Sequence, residues 1–475
     1  MADNRSPVIT EPRPTLRVWD AVSVIVGIVV GTAIFRSPPL VYQNVSTPLA
    51  GLGVWLLGGF LSLMGAFCYA ELATAFPRMG GEYEYLRRAY GTATGFLFAW
   101  GQLIVILTGS IGSVAYAFAD YAGSLFGRHP GVVVSFAAAI IVFLTVTNCF
   151  GMVVGKRLQN LLSMTKVLAL LLVATVGLLW GSYEGVFAAP RPIEGAGLGL
   201  ALVFVLYAYG GWNECAFLAA EVEDQKRDLS RALIYGIAGI TALYLLVNVA
   251  YLAVLSFEEL RGTATPAEAV LSHVFGTRAG QLVSIMIMLS AAGAINGMIF
   301  TGARVYVVLG QDFPSLGWLA RWDTKRAAPI QALLVQGIIS LAFVLLVGTR
   351  TGQRLLDSFL AAFQVGPIPW EQYQGGFEAL VAGTAPVFWF FFSLSGLSVV
   401  VLRQKYPNIE RPFRVPFYPV PVLFFVASSV YMLWSSLAYA RWLALIGVIP
   451  VLCGIPFFVI DRVLRNRAKT NSGLQ

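Results

Sequence analysis

Twelve apolar stretches, almost free of charge, decide what this chain can fold into. They run over Ala21–Phe35, Leu49–Ala70, Ala89–Ala119, Gly131–Gly155, Leu158–Tyr183, Gly195–Ala220, Ala232–Phe257, Ala279–Ala303, Ala327–Thr349, Ala379–Leu402, Val415–Ala440 and Trp442–Ile460. About 20 apolar residues cross a hydrocarbon core as a helix. The first stretch is short but extends back through Val18 and on past Arg36. The expected fold is therefore an all-α polytopic membrane protein with 12 transmembrane helices. Only two of the stretches hold a charge, Lys166 in the fifth and Glu214 in the sixth.

Composition agrees. Apolar residues make up 57% of the 475 and charged residues only 12%, against about 25% charged in a soluble domain. That excludes a soluble globular protein, a disordered chain and a disulfide scaffold. An even number of spans puts both termini on one side. Of the 32 Lys and Arg, 23 fall on the side of the termini and eight on the other, with Lys166 inside. This bias places both termini in the cytoplasm, in the cell membrane. It also accounts for the net charge of +8 without a nucleic-acid partner. Cys68, Cys149, Cys215 and Cys453 lie in apolar runs and read as small buried hydrophobes. His129 and His273 lie in loops, so no metal cluster, cofactor site or enzymatic nucleophile–base pair is visible. No secretory signal stands out at Met1–Asp20.

The connections carry local signals. Thr265-Pro266-Ala267-Glu268 reads as a capping box with Pro at the first helical position, starting a short external helix to about Phe275. Pro77–Tyr90 is glycine-rich, then amphipathic. Arg350–Glu378 reads as a long external loop.

Two spans carry glycines where a helix would break. The first reads Gly27-Ile28-Val29-Val30-Gly31-Thr32-Ala33-Ile34-Phe35, and the sixth Tyr207-Ala208-Tyr209-Gly210-Gly211-Trp212-Asn213. Unwound backbone at membrane depth has to line a cavity, because lipid cannot satisfy its polar groups. N–H groups at the start of a second half-helix suit a carboxylate, and carbonyls at the end of a first half-helix suit an ammonium. A free α-amino acid carries both. Close helix packing is the other reading of such glycines. Lys166, about eight residues from the cytoplasmic end of its span, is costly there and so points to a role, with snorkelling as the alternative. Glu214 directly follows the second break and has three readings: titration, pairing with a cation, or a water-facing vestibule. Glu71 reads as structural, paired with a loop arginine. Phe388–Phe392 reads as packing or lipid-facing surface.

Seven motifs in order resemble the amino acid–polyamine–organocation (APC) superfamily of transporters, closest to its L-amino-acid-transporter-like branch. The similarity runs over about Val18 to Arg414. Gly31–Phe35 resembles the family's GSGIF, Tyr69–Leu72 through Pro77–Leu86 its YAELGT…P.SGGEY.YL, and Tyr207–Asn213 its FAYGGWN. Glu221-Val222 with Arg227 and Leu229 resembles a further tail motif. Gln159 with Lys166, then Ser290, Gly293, Asn296 and Gly297, resemble patterns on helices 5 and 8. Tyr406-Pro407 with Arg411-Pro412-Phe413 resembles the loop before helix 11.

The resemblance implies a LeuT-like 5+5 inverted repeat with broken helices 1 and 6, plus helices 11 and 12. On this chain that gives an N-tail (1–17), repeats at 18–183 and 195–403, helices 11–12 at 415–460 and a C-tail (461–475). It implies that Gly31, Thr32 and Ala33 offer N–H groups to a substrate carboxylate. Carbonyls of Ile28 or Val29 and of Tyr207, Ala208 and Gly210 would take the ammonium, and Tyr207 would be the outer gate. Lys166, near Ser290, matches a lysine that fills a sodium site of sodium-coupled relatives. Thr32-Ala33 replaces Ser-Gly of the motif, and Glu214 has no acidic counterpart in it. The 3–4 loop lacks a Cys, so no disulfide-linked heavy chain is expected as a partner beside the amino-acid substrate and the bilayer. The implied function is a sodium-independent amino-acid transporter, most readily of neutral L-amino acids, working by alternating access as an exchanger. A proton-coupled symporter shares every motif, with Lys166 or Glu214 titrating. Polyamine or cationic amino-acid transport would need an acid in the pocket, and Glu214 is the candidate. A channel would show rings of pore-lining charge, and none is visible.

Overall fold

The structure is a computed structural model and describes residues 16–472 except 32, 127–128, 195–196, 264, 277, 363, 365 and 374. Among the described residues ten helices are long and apolar enough to cross a bilayer, and a bent pair makes an eleventh. The pair is α1 (Val18–Val29) and α2 (Ala33–Gln43), which meet at 54°. The order continues with α3 (Pro48–Ala75), α4 (Glu82–Tyr90), α5 (Thr92–Gly101), α6 (Leu107–Phe126), α7 (Pro130–Cys149), α8 (Met152–Trp180), α9 (Leu198–Ala208), α10 (Asp228–Val254), α11 (Phe257–Gly262), α12 (Pro266–Phe275), α13 (Ala279–Asp312), α14 (Ile330–Gly348), α15 (Arg350–Ala361), α16 (Gly376–Lys405), α17 (Val420–Ala440), α18 (Leu445–Leu452) and α19 (Gly454–Ser472).

The last of these apolar helical stretches, Val420–Val463, is 44 residues long, about twice what one crossing needs. It is interrupted at Arg441, whose φ is +47°, close to where the sequence divides it into two spans.

The spans pack through small residues, as expected where lipid is as apolar as the side chains. A Cβ on Gly177 of α8 would sit 2.6 Å from that of Ala250 on α10. Among the ten apolar windows α13 is the most enclosed, at 78%, whereas α7 is only 33% buried and turns its rest to lipid. The central position of α13 is what brings its side chains against both broken helices.

The connections on the side of the termini are tied down by charge. Glu71 is held as expected: Arg403 donates to it twice, at 2.8 and 2.6 Å, the Val415 amide donates at 2.7 Å, and Arg411 lies 3.3 Å away. Arg87 of α4 pairs with Asp312 at 2.6 Å. Gly81, at φ +47°, starts α4 so close to Ala216 that a Cβ would lie 2.7 Å from its carbonyl carbon, which makes glycine necessary there.

On the opposite side two expectations are corrected. The helix after Thr265 forms over Pro266–Phe275, but the Thr265 side chain does not cap it. Its ψ of 72° leaves the extended geometry a cap uses, and Pro266 already fixes the first turn. A reciprocal box forms instead at α11, where Glu259 N–H donates to Ser256 Oγ at 3.2 Å and Ser256 N–H to Glu259 Oε2 at 2.8 Å. Residues 350–378 are not simply a loop. They contain the amphipathic α15, capped by Thr349, with Asp357 accepting from Ile368 N–H and Trp370 Nε1–H at 3.0 Å each.

Candidate functional site

Both expected breaks are present. The first lies between Val29 and Ala33, and the second spans 209–211, after which the chain continues as a 3-10 helix, Trp212–Glu221. Gly211 makes the second break possible: its φ is +101°, and a Cβ there would lie 2.5 Å from Ile28 Cγ2. The two breaks therefore touch.

Between them is a cavity of about 160 Å³. Ile28, Val29, Gly31 and Ala33 line it from the first break, and Tyr207, Ala208, Gly210 and Glu214 from the second. Thr32 lies outside the described residues. Lys166 and Ser290 do not line the cavity but act on the first break. Phe388 and Trp389 line it too, which corrects the reading of that aromatic run as packing or lipid surface alone. A run of five aromatics has no period that tells a cavity wall from a lipid face.

The carbonyls at the end of α1 are met by the protein's own donors. Lys166 Nζ donates to Gly27 O at 2.6 Å. Tyr244 of α10 places its hydroxyl 3.0 Å from Val29 O and 3.1 Å from Ala208 O, bridging the two breaks. Ser290 Oγ lies 3.1 Å from Val30 O and 3.2 Å from Gly31 O. Gly31 N–H turns back to Val29 O at 2.7 Å, and Gly210 N–H to Tyr207 O at 3.1 Å. α2 begins at Ala33, so its first-turn N–H groups have no acceptor within the helix and present the positive end of its dipole to the cavity.

An amide chain fixes α1 from outside the cavity. Asn148 donates to Asn296 at 2.8 Å, Asn296 to Gln159 at 2.8 Å, Gln159 to Ser163 at 3.3 Å, and Ser163 to Ser23 O on α1 at 2.9 Å. Toward α16 the Tyr207 ring packs edge-on against Phe377, 6.2 Å between centroids, and the Arg36 guanidinium lies 5.6 Å above the same ring. At the other end Thr301 Oγ1 donates to Glu214 Oε2 at 2.6 Å. Next to it Asn213 donates to Glu82 at 3.0 Å, a carboxylate that also accepts from Tyr69 and, at 3.2 Å, from Ser395.

Sequence reasoning did not single out Tyr244, Gln102, Glu82 or Thr301. Tyr244 counts as apolar inside an apolar run and leaves no mark. Gln102 is a polar residue within the third span and was visible as such.

The comparisons with known proteins fit this geometry. The chain matches the family described as amino acid permease over residues 16–454. It is 30% identical to human b(0,+)-type amino acid transporter 1, over 96% of this chain and 90% of that protein. It is 28% identical to human large neutral amino acids transporter small subunit 2, over 94% of this chain and 80% of that one. To the serine/threonine exchanger SteT of Bacillus subtilis it is 27% identical, over 92% and 94% respectively. A multi-pass membrane protein with two touching helix breaks around a cavity, and matched to that family from before α1 into α19, this chain belongs to the amino acid permease family of transporters.

Proposed function

We propose that this protein exchanges neutral L-amino acids across the cell membrane without sodium, by alternating access between two five-helix repeats, and moves them chemically unchanged. The observation that carries the proposal is the ammonium and two hydroxyls already placed on the α1 carbonyls. Gly27, Val29, Val30 and Gly31 would otherwise form a cluster of oxygens suited to a hard cation. Lys166 donates to Gly27 O, while Tyr244 and Ser290 each bring a single hydroxyl proton, Tyr244 against Val29 O and Ser290 against the Val30 and Gly31 carbonyls. A fixed ammonium in that position replaces a coupling ion.

The substrate carboxylate then meets the first-turn amides of α2, and its ammonium meets break carbonyls that keep an open lone pair, such as Ala208 O beside Tyr244. Tyr207 closes the cavity on the outer side. Exchange is favoured by the likeness to a serine/threonine exchanger. The relative named a small subunit works within a larger assembly by its name. The connection between α6 and α7 carries no Cys, and we propose a protein that works without a disulfide-linked partner, both termini in the cytoplasm.

The test is uptake of a labelled neutral amino acid into sodium-free proteoliposomes. Uptake into vesicles preloaded with unlabelled amino acid, and not into empty ones, is expected. Uptake into empty vesicles driven by an inward proton gradient would replace exchange by proton symport. Gly31→Val gives a sharper prediction. A Cβ at Gly31 meets its nearest neighbour, Ile28 O, at 3.7 Å, so the variant should fold. Its methyls enter the cavity, and the concentration for half-maximal exchange should rise at least tenfold, about 1.4 kcal/mol. Unchanged affinity would remove Gly31 from the site.

A further inference from the structure

We propose that Arg36 is an outer carboxylate-capture residue: an arriving amino acid rests its carboxylate on the Arg36 guanidinium before that carboxylate passes to the first-turn amides of α2. This rests on the exchange reading above, in which Tyr207 closes the cavity on the outer side, and adds to it a binding residue beyond the cavity wall.

Arg36 is half-buried and is the only charged residue of α2. Ala33, three residues earlier on the same helix, lines the cavity. Residues three apart share a helix face, so Arg36 stands about 4.5 Å of helix rise beyond the cavity wall, at about 1.5 Å per residue. Phe377 faces it from α16, four residues before the cavity-lining Val381. The guanidinium carbon lies 5.6 Å from the centroid of the Phe377 ring, and the same ring meets the Tyr207 ring at 6.2 Å. Arg36, Phe377 and Tyr207 thus form one cluster at the end of the cavity that faces away from the termini.

The charge in this cluster has no counter-charge. Among the described residues the Arg36 side chain donates no hydrogen bond and pairs with no carboxylate; its one contact of this kind is the Phe377 ring. A guanidinium carries five N–H donors in a planar fork, and the fork matches a carboxylate through two parallel bonds. Local stability does not account for the residue. The positive end of α2 lies one turn away and disfavours a cation. A side chain that snorkels keeps its head in water, whereas this head is held over an aromatic ring. An unpaired cation at a cavity mouth raises the local concentration of anionic groups, and every amino acid brings a carboxylate. Phe377 and Tyr207 offer apolar surface to the rest of a neutral one. As Tyr207 moves aside, the carboxylate has one helical turn to descend along α2 to the amides at its start.

The test reads the two faces of the full chain separately, in right-side-out and inside-out membrane vesicles loaded with unlabelled leucine in sodium-free buffer, with uptake into vesicles lacking the protein subtracted. Arg36→Gln should raise the half-saturating concentration of labelled leucine at least tenfold, about 1.4 kcal/mol, in right-side-out vesicles, and leave it within about threefold in inside-out ones. A general structural role for Arg36 would not separate the faces. An unmoved outer value, or an equal rise on both faces, overturns the capture role. If Arg36→Gln fails to insert, the wild-type protein decides. Butanesulfonate, a membrane-impermeant anion with an apolar tail and no ammonium, should compete with leucine in right-side-out vesicles and not in inside-out ones. No competition, or equal competition at both faces, overturns the proposal. Any of these failures in a wild type that exchanges leucine sinks Arg36 alone and leaves the exchanger standing. A wild type that exchanges no leucine overturns the exchange reading, and the capture role with it.

Discussion

Lys166→Ala should cut exchange roughly 10- to 150-fold while leaving the protein folded. The range follows from the one hydrogen bond the lysine makes among the described residues, charged and at 2.6 Å to Gly27 O. Such bonds contribute about 1.5–3 kcal/mol, and each 1.4 kcal/mol is about tenfold. The loss should fall on transport because the acceptor is the last turn of α1 before the break, where the chain has to hold its substrate-binding geometry. The effect on folding should be smaller, since the variant also removes an ammonium that is 1% exposed and costly to keep inside a membrane. Exchange rates in proteoliposomes and the thermal unfolding midpoint of the purified protein check the two halves. Normal uptake by the variant would take the lysine out of the mechanism. A midpoint that collapses together with transport would make it a structural residue.

Lys166 and the two breaks were legible because each violates a rule that a membrane span otherwise obeys. A charge in an apolar run, or paired glycines at mid-depth, stands out against a background with almost no polar residues. The same background hides Tyr244, whose aromatic ring belongs in a span and whose hydroxyl matters only once α10 is placed between the breaks. Phe388 and Trp389 are invisible for the same reason. The contact of Gly211 with Ile28 joins residues far apart in sequence, and no local pattern encodes it. The failure of the box at Thr265 is of another kind. The motif is right and the helix forms, but the Thr265 backbone is turned so that its hydroxyl does not reach. Glu214 is visible as a charge in the sequence, but that it lines the cavity and accepts from Thr301 emerges only in the fold.

Glu221→Ala should be the most destabilising single change, at about 3–5 kcal/mol. Glu221 ends the 3-10 half of the second broken helix and is fully buried; Arg304 of α13 is 2% exposed. They pair twice, Nε to Oε1 at 2.7 Å and Nη2 to Oε2 at 3.3 Å, with the guanidinium 4.0 Å above the Phe300 ring. Cutting Glu221 to alanine strands that guanidinium, and an unpaired buried charge is far costlier than the pair is favourable. The double variant Glu221→Leu with Arg304→Met removes both charges and should recover most of the loss, which a simple packing role for Glu221 would not allow. The thermal unfolding midpoints of the single and double variants measure this, and a single variant no less stable than the double would refute it. The position of the pair gives the result a second consequence. Leu16 N–H donates to Glu221 O at 2.9 Å, and Glu223 N–H to Leu16 O at 2.9 Å. The segment that leads into α1, the end of the second broken helix and the central helix are thus joined at one buried point on the side of the termini. In the alternating-access reading proposed above, opening the cavity to that side moves α1 away from that point. The double variant, stable but without the ion pair, should therefore favour the state open to that side over wild type, read as faster alkylation, from the side of the termini, of a single cysteine placed at Ala33 in the cavity wall.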